Sequence, residues 1–161
     1  MRAGPLGLLA DDREVLRLAA IQARTTHDTP AGVASAQASA MAVHLVRQGV
    51  PCRDVPKAGA ARVPGPWVGR WEGPVDGSCI ACVHAALQAL ADGETLGDVL
   101  RQAVARTGDV DTVAAIALDA ASQDPAIADD LPPALLERLE GGPSGQLLPR
   151  PADALLLQRS G

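Results

Sequence analysis

This chain of 161 residues contains no Phe and no Tyr, and its only large aromatic side chains are Trp67 and Trp71. Its core must therefore be filled by Ala, Val, Leu and Ile, and side chains this small let helices approach closely instead of interdigitating large knobs. Apolar residues recur at helical spacing along most of the chain, and no stretch alternates apolar and polar for long enough to make a sheet. The expected fold class is all-α, a compact multi-helix domain. The length suits one domain with a single core. A hydrophobic fraction of 47% with 20% charged residues is ordinary for a soluble globular protein. With a net charge of -5 and no basic stripe, a nucleic-acid partner is not expected. No apolar run has the length of a membrane span, and no charged-then-apolar leader opens the chain, so no membrane partner is expected and the expected location is cytoplasmic.

The helices can be placed by their stripes and caps. Residues 12–24 form a first amphipathic helix, with Val15, Leu16, Ala19 and Ala23 on one face. Thr25 to Asp28 break it, and Thr29-Pro30 restart a helix with a capping hydroxyl followed by Pro at its first position. That second helix runs to about Gln48, is small or apolar on nearly every face, and reads as the buried central helix. Residues 51–76 carry Pro and Gly at such density that mostly coil is expected. Helices follow at 77–91, at 95–106 behind a Thr95/Asp98 capping pair, and at about 112–122. A short helical stretch near 133–139 precedes a Gly141-Gly142-Pro143 break. The expected organisation is a helical domain over 1–140 and a C-terminal tail over 141–161.

Cys79 and Cys82 have C-x-x-C spacing, and His84 and Cys52 could complete a zinc site. Both cysteines share a helical face with Val83, Ala86, Leu87 and Leu90, however, and a helix leaves no turn to present the thiolates together. Free cysteine packs as a small hydrophobe, so these two are expected to be reduced, buried and inert. The two tryptophans are expected to anchor the coil to the core in preference to walling a nucleotide ring. His44 and His84 are expected at the core or its rim.

The segment Gly108-Asp109-Val110-Asp111-Thr112 places two carboxylates and a hydroxyl within four positions, directly before an apolar helical run. Magnesium takes hard oxygen ligands and keeps several waters, so a cluster of this kind can form half of a site. The plainer alternative is that Asp111 is a helix N-cap. A calcium loop of the helix–loop–helix type is excluded, because Ala114 and Ala120 stand where Gly and Glu are required.

Around these residues the sequence resembles the ADP-ribosylglycohydrolase family, which includes the dinitrogenase-reductase-activating glycohydrolases. Gly-Asp-x-Asp-Thr-Val-Ala-Ala-Ile-Ala at 108–117 is similar to its C-terminal metal motif. Arg24-Thr25-Thr26-His27-Asp28-Thr29-Pro30 is similar to its Thr-His segment, and Met1-Arg2 to the end of its Asn-Gly-x-x-Met-Arg loop. The three matches are collinear over residues 1 to about 122. The resemblance implies an all-α hydrolase that uses two magnesium ions to cleave ADP-ribose from protein side chains or related ADP-ribosyl compounds. It implies Asp109, Asp111 and Thr112 as metal ligands, with Asp109 and Asp111 as catalytic carboxylates. His27 is expected either beside the bound nucleotide or as a structural cap. The family's Thr-Asp-Asp-Thr cluster has no counterpart here, so the chain is expected to be N-terminally truncated, to hold at most one magnesium alone, and to turn over little. The missing N-terminal half is then a further expected partner. The alternative is a non-catalytic ADP-ribose-binding or interaction domain degenerated from such a hydrolase.

Overall fold

A computed structural model describes residues 2–142. The chain divides into two units, the first running to Asp129 and the second beginning at Asp130. From residue 143 onward the expected tail lies outside the described residues. Among the described residues the fold is all-α, and its only extended pairings are two isolated bridges, Val75 with Gly108 and Thr95 with Ala128.

The first unit opens with a 3-10 helix, Gly4–Leu8, followed by α1 (Asp12–Arg24) and α2 (Pro30–Arg47). A short 3-10 turn at Cys52–Asp54 runs into α3 (Val55–Ala60), and α4 (Cys79–Asp92), α5 (Leu96–Ala105) and α6 (Val110–Ala121) complete the unit. Side-chain caps fix four of these starts. Asp11, Thr29, Ser78 and Thr95 accept from the backbone N–H of Glu14, Gly32, Ala81 and Asp98 respectively. The Asp98 carboxylate in turn accepts from the N–H of Glu94, just outside the helix.

The second helix is the hub, as its composition predicts. It packs against the N-terminal 3-10 helix, α1, α3, α4 and α6, and every residue from Ala38 to Val46 is buried. Met41 and Leu45 supply the bulk there, while alanines fill the closest approaches. At the far end of α2, buried His44 bonds the Gly7 carbonyl through Nδ1 (3.2 Å) and the Asp12 carboxylate through Nε2 (2.9 Å). Arg62 donates to the other oxygen of Asp12 at 2.8 Å and, as the leading cause, holds that carboxyl below its ordinary value. His44 is thus a core residue. His84, half-buried at the rim, donates from Nε2 to the Gly69 carbonyl at 3.0 Å.

The expectation of coil over 51–76 needs correcting at its start. Residues 55–60 are helical, because Pro56 falls in the first turn, where a helix does not use the missing N–H. From Ala61 to Asp76 the chain is irregular, and Trp67 pins it. Trp67 is 1% exposed and its Nε1 donates to the Val63 carbonyl at 2.8 Å. Trp71 is half-buried and meets the His84 ring edge-on at 5.5 Å.

In the second unit α7 (Pro133–Glu140) starts with proline at its first position. No helix among the described residues is long and apolar enough to cross a membrane.

Candidate active site

The path into Asp109 is set by two consecutive residues in left-handed backbone conformation, Thr107 (φ 58°) and Gly108 (φ 77°). They turn the chain sharply after α5 and lay it against Val75. The Val75 N–H donates to the Thr107 carbonyl at 3.2 Å, and the Asp109 N–H donates to the Val75 carbonyl at 3.1 Å. A Cβ on Gly108 would overlap the Val75 backbone, so the glycine is required for the approach as well as for its φ.

Asp109 then occupies the N-cap position of α6, which the plainer sequence reading gave to Asp111. Asp111 lies at the second position of the first turn, exposed, and the Asp109 side chain closes no capping hydrogen bond. Its carboxyl is nonetheless held below the usual carboxylate range. The leading cause is its contact with the Asp111 side chain, followed by the Thr112 hydroxyl. The Cys82 thiol and the Thr112 backbone N–H add smaller effects. The carboxylate is therefore ionised at neutral pH.

Asp109 and Thr112 line a cavity of about 410 Å³ in the first unit. Arg2 and Ala3 reach it from the N-terminal segment, and Gln22, Ala23, Thr26 and His27 from the end of α1. Gly32, Ser35, Ala36 and Ser39 of α2 form another wall, with Gly77, Cys79, Cys82 and Val83 from the start of α4. Arg2, His27 and Asp109, from three segments distant in sequence, thus share one cleft. Thr26 links the first two. Its hydroxyl accepts from Arg2 Nη2 at 2.5 Å and sits 3.0 Å from His27 Nδ1. His27 is exposed and caps no helix; Thr29 does that. Asp111 does not line the cavity. Neither tryptophan lines it, so they do not wall a ring there.

The two cysteines of α4 depart from expectation. All three cysteines are free, but Cys79 is only half-buried, and both Cys79 and Cys82 line the cleft. Cys82 Sγ donates to Asp109 Oδ2 at 3.3 Å, and burial, reinforced by that carboxylate, pushes its thiol up to about 12. The shared face was read correctly from the sequence. What the stripe could not distinguish is a helix face against a core from one against a cavity, since both point inward. Among the described residues no group of three or more His, Cys, Asp and Glu is placed to hold a metal. Asp109, Asp111 and Thr112 at the start of α6 carry two carboxylates and a hydroxyl, the oxygen donor type that a hard cation takes.

No curated protein and no solved structure shows a significant match to the chain. The family model described as ADP-ribosylglycohydrolase matches residues 1–160, nearly the full length, and the all-α fold agrees with it. The chain belongs to the ADP-ribosylglycohydrolase family.

Proposed function

We propose that the protein binds ADP-ribosyl compounds in the 410 Å³ cleft and acts with magnesium on the bond that joins ADP-ribose to a protein side chain or related group. The observation that carries this reading is the convergence of Arg2, His27, Asp109 and Thr112 on one cavity of a size that suits a small-molecule ligand. Arg2 and His27 suit the phosphates, and the ionised Asp109, acceptor-only, suits ribose hydroxyls or a water. Asp109, Asp111 and Thr112 would hold the cation. If held there, magnesium would supply Lewis acidity that polarises a water for attack at the anomeric carbon. Asp109 would position hydroxyl groups near that carbon, and the Cys82 thiol, which donates to it, would hold its orientation.

A second reading, a non-catalytic ADP-ribose-binding domain, is favoured by one observation. Among the described residues no third carboxylate, histidine or cysteine joins Asp109 and Asp111 in a metal-holding group. With few protein ligands an ion binds weakly and is poorly aimed. The test is calorimetry with ADP-ribose, with and without magnesium, together with release of ADP-ribose from modified arginine and serine peptides. Binding accompanied by slow release is expected. Binding with no release at any magnesium concentration leaves the second reading, and no binding at millimolar ADP-ribose overturns both.

A further inference from the structure

The wall formed by α2 carries two serines four residues apart in an alanine-rich helix, and they are used differently. The Ser39 hydroxyl donates back to the Ser35 carbonyl at 2.9 Å, the usual arrangement for a serine inside a helix. The Ser35 hydroxyl has no hydrogen-bond partner in the protein, although the residue is 4% exposed. A buried hydroxyl left unpaired is destabilising by more than a typical hydrogen bond contributes, and folded proteins leave few of them. Ser35 also lines the cleft.

Its place within the cleft follows from Gly32, one turn earlier on the same face. A Cβ at Gly32 would overlap the His27 carbonyl and Cβ, so this part of α2 lies directly against the Thr26–His27 turn that holds Arg2. Ser35 therefore follows, on the same helix face, the residue that packs against that turn, in the cleft that Arg2 also lines. A group with spare acceptors and negative charge complements an unpaired hydroxyl beside a guanidinium.

We propose that Ser35 anchors an anion subsite, its hydroxyl donating to a phosphate oxygen of the bound ligand while Arg2 and His27 face the same group. The proposal deepens the ADP-ribose reading and rests on it for the identity of the ligand, though not for the chemistry of the subsite. A hydrogen bond to a charged oxygen is worth enough that losing it weakens binding roughly tenfold to a hundredfold.

The experiment compares wild type with Ser35→Ala by calorimetry in magnesium-free buffer, using inorganic pyrophosphate and ADP-ribose as separate probes, with melting temperature measured alongside. The expected result is at least a tenfold loss of affinity for both probes with an unchanged or raised melting temperature, since alanine removes an unpaired polar group. Pyrophosphate binding that depends on Ser35, without ADP-ribose binding, keeps the subsite and refutes the ADP-ribose reading. ADP-ribose binding unaffected by the substitution keeps that reading and refutes the subsite. A lowered melting temperature with unchanged affinity assigns the hydroxyl to structure and overturns the proposal, as does failure of the wild type to bind either probe.

Discussion

Asp109 and Asp119 stand on one helix with carboxyls shifted in opposite directions, and the two shifts make different predictions. Asp109 is shifted down by Asp111 and Thr112, so its contribution to stability is present above the ordinary 3.8 and is lost as pH falls through the folded value. Asp119 is shifted up by burial beneath the N-terminal segment, where a Cβ on Gly4 would overlap its carboxylate. The folded state therefore prefers it protonated, and stability falls as pH rises through its raised value. Asp119→Asn should raise the melting temperature at pH 7, with the difference closing in acid; a lower melting temperature at pH 7 would contradict this. Asp109→Asn and Asp111→Asn should instead remove any further stabilisation by magnesium, read for each variant as the melting shift between metal-free and magnesium buffer, as expected when a ligand binds only the folded state. An unchanged magnesium response in both variants removes the metal reading. The segments of Arg2, His27 and Asp109 stood out in the sequence through their resemblance to family motifs. Ser35 did not, because a serine in an alanine-rich helix differs from its neighbours only in whether a partner lies within reach.

Most helix starts were legible from capping residues, although α4, capped by Ser78, begins two residues after the expected 77. Thr29, Ser78 and Thr95 each accept from a first-turn N–H, and replacing any of them with Ala should cost about 1 kcal/mol in chemical denaturation. The start of α6 was also misplaced by two residues; it has no side-chain cap, and the Val75 bridge and the turn at 107–108 fix it. That pairing joins positions more than thirty residues apart and leaves no periodicity to read. It also makes the turn the sensitive point of the element. Gly108→Ala combines an unfavourable φ with overlap of the Val75 backbone and should destabilise by roughly 2 kcal/mol or more. Thr107→Gly relieves a left-handed β-branched residue and should be neutral or stabilising. Equal effects from the two substitutions would show that the turn is not set by backbone strain. The helix at 55–60 was missed for a related reason, since proline density signals irregular chain unless the prolines fall in first turns.

At the scale of the whole molecule, an aromatic-poor core of close helices was the reading that composition supported best, and the first unit has that form. Its buried thiols make a prediction for the entire unit. Burial pushes Cys52 and Cys82 from an ordinary 9.0 up to about 12, with Asp124 and Asp109 reinforcing them. The unfolded chain ionises these thiols first, so stability should be full below pH 9 and decline as pH rises toward 12. Replacing both cysteines with Ala should flatten that decline in denaturant titrations, and an unaltered slope would assign it to other groups. Under native conditions at pH 8, iodoacetamide should label Cys79 before Cys52 and Cys82, because the latter two are buried and protonated. The scarcity of aromatic residues has a practical corollary. With no Tyr present, emission excited near 290 nm comes from two indoles, and a Trp71→Leu variant would leave a single emitter, the enclosed Trp67. Its fluorescence should be blue-shifted in the folded protein and move to the red when the 61–76 segment lifts from the helices, so light alone would report detachment of one loop.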